Sequence, residues 1–204
     1  MKIALYTPAG IIANETYHVA SLLDKVDYLF LRKPGIHDSY WEDYVEEIPI
    51  VHAHKVMTSF YRVLHDAGLG GFHFRSSMID QLSKPELLEN ITLLRNHEKK
   101  SSVTAHNMEQ LKTYDGMFDI IMVAPLFESI SKPGHQHHWD FEELKSFLQS
   151  RDSKSEVFAL GGIDESKVDM IHLLGFDGLA VLGTIWNQDP YQAPAQLQKI
   201  LDKC

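Results

Sequence analysis

The sequence predicts a short (β/α)8 barrel, an α/β fold with eight parallel strands. Two observations carry this reading. Apolar runs of four to six residues recur along the chain, separated by segments of helical periodicity. The last three runs each end in small or hydroxylated residues: Val123–Lys132, Val157–Ile163 and Gly178–Ile185. Barrels of this kind commonly hold a phosphate in the loops after strands 7 and 8.

Candidate strands follow in order: Lys2–Tyr6, Val26–Leu31, Ile48–His52, Gly71–Phe74, Ser101–Ala105, Ile120–Ala124, Val157–Leu160 and Gly178–Val181. Their Val, Ile, Leu and Phe content suits strands covered on both faces. Tyr17, Ala20, Leu22 and Leu23 mark the apolar side of a first helix; Met57, Phe60, Val63 and Leu64 mark a third. Phe141, Leu144, Phe147 and Leu148 repeat the pattern, with Asp140 placed to cap that helix and Glu142 and Glu143 in its first turn. Strand alternating with helix argues for parallel βα units. An open doubly wound sheet is the competing arrangement, and eight regularly spaced units favour closure.

Composition fits one domain over residues 1–204, short against the roughly 250 residues typical of the barrel. Nineteen basic against 28 acidic residues, a net charge of −9, argue against a nucleic-acid footprint or a polybasic membrane surface. One cysteine, Cys204, leaves no disulfide framework. The chain opens on a strand without a signal-peptide pattern, and no apolar run reaches the roughly 18 residues of a membrane span. A cytoplasmic protein acting on a phosphorylated small molecule is the expectation, with homo-oligomerisation left open.

The chemistry belongs at the C-terminal strand ends. Arg32 and Lys33 leave strand 2, where a cation pair suits phosphate, though a solvated basic loop has the same composition. Thr104 and His106 end strand 5 on one side of it, with Asn107 available as a helix cap. Ser129, Ser131 and Lys132 place two hydroxyls and an ammonium after strand 6. Gly161 and Gly162 after strand 7 allow close backbone approach. Their N–H groups, with those near Leu182 and Gly183, can form an anion-binding nest.

These segments together resemble the superfamily of thiamine phosphate synthase and the TenI thiazole tautomerase. The resemblance rests on Leu31-Arg-Lys33, Gly71-Phe-His-Phe74, Val103-Thr-Ala-His-Asn107, Asp119–Phe127, Ser129-Ile-Ser-Lys132, Ala159-Leu-Gly-Gly-Ile163 and Gly175–Val181. It implies a barrel binding a thiazole phosphate. The synthase condenses it with hydroxymethylpyrimidine diphosphate, using Mg2+ and releasing pyrophosphate; the tautomerase moves a proton on the ring. By resemblance, Ser129, Ser131 and Lys132 stand for the family's Thr-x-Thr-Lys, and Thr104 for its usual serine. Gly162, Leu182 and Gly183 stand at the backbone positions that hold the thiazole phosphate, and Arg32 matches the arginine of Gln-x-Arg-Glu-Lys.

The departures fall on the second substrate. Phe30 replaces the glutamine and Pro34 the lysine, with Lys33 one residue away as a diphosphate contact. The Asn-Asp expected after strand 3 reads His52-Ala53, and the second magnesium aspartate falls in Arg75-Ser-Ser-Met78, before Asp80. Magnesium usually needs one or two carboxylates besides substrate phosphates. Mg2+ is therefore implied only under the synthase reading, with Asp80 as a substitute ligand, and no other cofactor is implied. The tautomerase histidine falls at Pro125. His52, at the expected end of strand 3, and His106 are the remaining acid/base candidates. His135, His137 and His138 form a cluster after strand 6 that reads as a lid, a weak metal site or a solvated loop. Proton transfer on a thiazole phosphate is the favoured expectation. A working synthase is the first alternative, and a non-catalytic binding or regulatory protein the second.

Overall fold

A computed structural model describes residues 1–8, 10–33, 35, 38–61, 64, 68–128 and 139–204. Its eight strands are β1 (Lys2–Tyr6), β2 (Tyr28–Phe30), β3 (Val56–Thr58), β4 (Gly71–Phe74), β5 (Lys100–Ala105), β6 (Ile120–Val123), β7 (Glu156–Leu160) and β8 (Gly178–Val181). They close in sequence order into a barrel. β8 returns to β1 in parallel register, with Lys2 opposite Gly178 and Leu5 opposite Val181. Closure rules out the open doubly wound sheet.

Side-chain alternation divides the core in two. Ala4, Tyr6, Tyr28, Phe30, Met57, Ile120, Met122, Phe158 and Ala180 fill the barrel interior. Their neighbours Ile3, Leu5, Leu29, Ile121, Val157, Leu179 and Val181 pack outward in a larger cluster with the helices. Each strand thus buries both faces, the reason its sequence reads as an apolar run. Gly178 is small because a Cβ there would stand 2.6 Å from both Phe158 Cδ1 and Lys2 O.

The helices include α1 (Glu15–Ala20), α2 (Asp38–Glu46), α3 (Ser76–Ile79), α4 (Lys84–Asn96), α5 (Met108–Tyr114), α6 (Phe141–Ser150), α7 (Val168–Leu174), α8 (Gly183–Trp186) and α9 (Ala193–Leu201). Asp140 caps α6 as its position predicts, accepting from the N–H groups of Glu142 at 2.9 Å and Glu143 at 3.1 Å. Ser83 and Glu86 form a capping box at α4. Of the residues expected on the apolar side of the first helix, Leu22 and Leu23 are fully buried, whereas Tyr17 is exposed and Val19 is buried in its stead.

The third strand is corrected. Ile48–His52 is not a strand: residues Ile50–Lys55 form a 3-10 helix on the barrel's N-terminal side, and β3 begins at Val56. Ile50 is 90% and Val51 67% exposed, so this apolar run lies on the surface. Met57, expected on a helix face, is an inward residue of β3. Lys55 ties the segment down by donating to Leu23 O at 2.8 Å and Val26 O at 2.9 Å. Among the described residues no helix is long and apolar enough to cross a membrane.

Candidate functional site

The C-terminal mouth of the barrel opens on a cavity of about 380 Å3 lined by Tyr6, Phe30, Arg32, Ser59, Phe60, His73, Arg75, Thr104, His106 and Leu160, among others. Its floor is aromatic: Tyr6 and Phe30 stack with centroids 4.7 Å apart, and His73 meets Phe30 edge-on at 5.5 Å. Strand alternation puts them there. Tyr6 and Phe30 end β1 and β2 pointing inward, and His73 points inward between the outward-packed Phe72 and Phe74.

Arg32 is the first charged residue beyond β2. Its backbone is held on both sides by one buried hydroxyl: Thr7 Oγ1 accepts from Arg32 N at 2.8 Å and donates to Arg32 O at 3.3 Å. Arg75 follows β4 directly, with its guanidinium carbon 5.8 Å from the ring centroid of Phe60. Among the described residues neither guanidinium has an ion-pair partner. Among the described residues no carboxylate lines the cavity.

Two imidazoles share this space. His73 Nδ1 lies 2.8 Å from Ser102 Oγ. Burial first, then the charges of Arg75 and Arg32, push His73 down to about 4, so it is neutral at physiological pH. His106 Nδ1 lies 2.8 Å from Ala124 O. A carbonyl only accepts, so Nδ1 carries the proton and Nε2 keeps its lone pair. That Nε2 stands 3.5 Å from Ser76 Oγ, at the limit of hydrogen bonding. Asn107 caps α5 by accepting from Gln110 N at 2.9 Å, and Gln110 Oε1 in turn accepts from His106 N at 2.8 Å. The capping role and a cavity-lining histidine thus coexist in one segment.

Tyr6 is 5% exposed, and its hydroxyl has no hydrogen-bond partner among the described residues. Burial raises its pKa, with the Arg32 charge opposing, so it remains a proton donor.

The glycine side of the mouth lies beside this cavity rather than in its lining. Gly161 and Gly162 adopt φ of 101° and 66°. The N–H groups of Gly162, Gly183 and Thr184 meet no acceptor among the described residues. Leu182 precedes α8, and Trp186 anchors this short helix by donating from Nε1 to Tyr6 O at 2.7 Å.

One residue expected in the site stands elsewhere, and a second, Lys33, is among the residues lining the cavity but has its ammonium already committed. His52 is not at the end of β3. It lies in the 3-10 helix before that strand, across the barrel from the cavity, with Nε2 3.2 Å from Asp24 Oδ1. The residues that follow β3 are Ser59 and Phe60, not His52 and Ala53, and no carboxylate stands at this position either. Lys33 is withdrawn from diphosphate duty. Its ammonium donates to Glu15 Oε2 at 2.6 Å, Gly10 O at 2.9 Å and Pro8 O at 3.0 Å, occupying all three of its hydrogens. Ser129, Ser131, Lys132, His135, His137 and His138 lie outside the described residues.

The donor set does not fit magnesium, a hard cation that takes oxygen ligands. Asp80 ends α3 and lies near Tyr114, whose pKa burial and this carboxylate raise; it does not line the cavity. Among the described residues no cluster of three His, Cys, Asp or Glu side chains is arranged for a metal.

Tyr6, Ser59, His73 and Arg75 were not picked out as site residues from the sequence. Alternation in Gly71–Phe74 and Lys2–Tyr6 already points His73 and Tyr6 inward. Ser59 was hidden by the misplaced third strand.

Comparison with known proteins agrees with this architecture. The family described as Thiamine monophosphate synthase matches residues 66–185, which include His73, Arg75, Thr104, His106, Gly162 and Gly183. A thiamine-phosphate synthase of Vibrio campbellii is 30% identical over 97 residues, 47% of each chain. The match therefore spans about half the length of the curated relatives. The crystal structure of thiamine phosphate pyrophosphorylase from Bacteroides thetaiotaomicron superposes with a TM-score of 0.79, covering 100% of this chain and 97% of that one at 24% identity. The Pyrococcus furiosus thiamine phosphate pyrophosphorylase gives 0.77 at 12% identity, covering 99% and 94%. At these identities the superpositions show the shared barrel alone. With the family matched over more than half its length, the chain belongs to the thiamine phosphate synthase/TenI superfamily.

Proposed function

We propose that the chain binds a thiazole phosphate at the barrel mouth and moves a proton on its ring, with His106 as acid/base. One observation carries the choice of chemistry: among the described residues the cavity presents imidazoles, guanidinium groups and hydroxyls, and no carboxylate. A departing pyrophosphate in the synthase reaction needs its charge compensated, a task usually given to Mg2+. A ring tautomerisation needs only one group that takes a proton from one ring atom and returns it to another. His106 has that form, since it lines the cavity and the Ala124 carbonyl fixes the protonated nitrogen at Nδ1, leaving Nε2 to exchange the proton.

In this reading the unpaired N–H groups of Gly162, Gly183 and Thr184 receive the phosphate, joined by Ser129, Ser131 and Lys132. Arg32 and Thr104 flank the ring over the Tyr6–Phe30 floor. The test follows a thiazole phosphate by NMR. Enzyme-dependent movement of the ring proton, lost in His106→Gln with binding retained, is the expected result. Binding without any rearrangement would reduce the chain to a binding or regulatory protein. The synthase reading draws its support from the thiamine-phosphate synthases among the relatives; it requires metal-dependent pyrophosphate release.

A further inference from the structure

Two inward-facing polar residues stand side by side in the barrel wall. His73 of β4 pairs in register with Ser102 of β5, so both side chains turn to the same side of the sheet. Ser102 is fully buried, and its hydroxyl meets one partner among the described residues, His73 Nδ1 at 2.8 Å. That isolation decides which atom donates. With the proton on Nδ1, the Ser102 hydroxyl hydrogen would be left buried without an acceptor, a costly arrangement. With the hydroxyl donating to Nδ1, no hydrogen is stranded and Nε2 bears the ring proton. His73 lines the cavity, and its Nε2, unpartnered among the described residues, is not sealed from solvent. The ring is braced by the edge-on contact with Phe30 at 5.5 Å, and its backbone by Ser59 Oγ, which donates to His73 O at 2.7 Å. Burial and the charges of Arg75 and Arg32 keep the imidazole neutral at physiological pH.

We propose that Ser102 fixes His73 as its Nε2–H tautomer, and that His73 is a second catalytic residue, a neutral hydrogen-bond donor to the ligand's ring nitrogen. The inference rests on the proton-transfer reading of the mouth and supplies the partner that reading lacks. His106 holds its proton on Nδ1 and His73 on Nε2, so one imidazole keeps a lone pair to accept a proton and the other an N–H to donate. When a ring C–H bond breaks, the proton bonds to His106 Nε2 and the electron pair passes through the ring to its nitrogen. His73 meets the negative charge there with a hydrogen bond and keeps its own proton. Return of the proton from His106 to another ring atom restores both imidazoles. A neutral donor suits this step, because it places no second unpaired charge in the barrel wall. Ser102 acts only through His73, as its positioning residue.

Nitrogen NMR of the full chain, labelled in its histidine rings, tests the tautomer without any ligand. We expect His73 Nε2 to carry the proton and Nδ1 to be bare at neutral pH, the signals being assigned by their loss in His73→Gln. A proton on Nδ1 would overturn the proposal. In Ser102→Ala the preference is expected to disappear, with kcat for thiazole-phosphate rearrangement lowered and KM near wild type. His73→Leu is expected to lose about a hundredfold in kcat, the worth of one such donor, and His73→Gln to regain part of it through its amide N–H. Unfolding midpoints verify that the variants fold. Unchanged kcat in His73→Leu, or a loss confined to KM, would overturn the catalytic role. Titrating thiazole phosphate into the labelled chain separates this claim from the proposed function. A shift of the Nε2 proton on binding, with no rearrangement by the wild-type chain, would refute proton transfer and leave His73 as a donor to the bound ring. Binding without that shift would overturn the donor, and failure to bind would refute both.

Discussion

Lys33 and Glu15 form an ion pair of 2.6 Å in which both side chains are withdrawn from water. Glu15 begins α1 and Lys33 follows β2, so the pair fastens the loops after the first two strands to each other. Tyr44 of α2 donates to the second carboxylate oxygen of Glu15 at 2.9 Å, adding a third element. The adjacent Arg32 is thereby presented to the cavity from a fixed backbone, which Thr7 also holds.

Breaking one half of such a pair leaves an uncompensated buried charge. Lys33→Met is expected to cost about 3–5 kcal/mol, measured by chemical denaturation. Combining it with Glu15→Gln should recover much of the loss, because no charge then remains buried. A loss well under 1 kcal/mol in the single variant would show the pair to be solvated.

His73 links the cavity to pH. Its proton affinity is lowered to about 4 by burial and by the Arg75 and Arg32 charges. Unfolded, it titrates near 6.5. Between those values the unfolded chain binds a proton that the folded chain refuses, so stability falls as pH falls through this window. Above it both states are neutral, and below it both are charged. The effect approaches about 3 kcal/mol. His73→Gln should flatten this part of the stability–pH curve; an unchanged slope would contradict the assignment.

Lowering the charge beside His73 should raise its titration point. In Arg75→Gln, the His73 ring resonances are expected to titrate above about 4 by NMR, since burial remains and one repulsive charge is gone. No movement would place Arg75 too far away to act on the ring.

Gly162 sits at φ of 66°, and a Cβ there would lie 2.9 Å from Phe127 Cβ as well as against Glu128 O. Gly162→Ala therefore strains the turn and crowds the N–H groups of the nest. A destabilisation of about 1–3 kcal/mol, with weakened thiazole-phosphate binding, is expected from denaturation and calorimetry. Wild-type affinity in this variant would move the phosphate elsewhere.

The barrel was legible because seven strands buried on both faces wrote themselves as apolar runs. The third did not. Val56-Met-Thr58 is short and partly polar, and the more apolar Ile48–His52 nearby is surface. That displacement carried His52 into the site and kept Ser59 out. Lys33 misled for another reason: a lysine after a strand reads as a phosphate ligand until its partner is known. Glu15, 18 residues earlier, gives no local signal of the pairing. Thr104, His106 and Arg32 were found because strand ends and alternation suffice to place them at the mouth. Arg75, directly after β4, has the composition of an ordinary loop residue in the sequence, and only the closed barrel brings it to the cavity with Arg32.

The most direct test of the account is pyrophosphate release from hydroxymethylpyrimidine diphosphate and thiazole phosphate, with and without Mg2+. A mouth lined by guanidinium and imidazole groups predicts no metal-dependent turnover, with saturable thiazole-phosphate binding in the same preparation. Robust Mg2+-dependent release would contradict it and make the chain a working synthase.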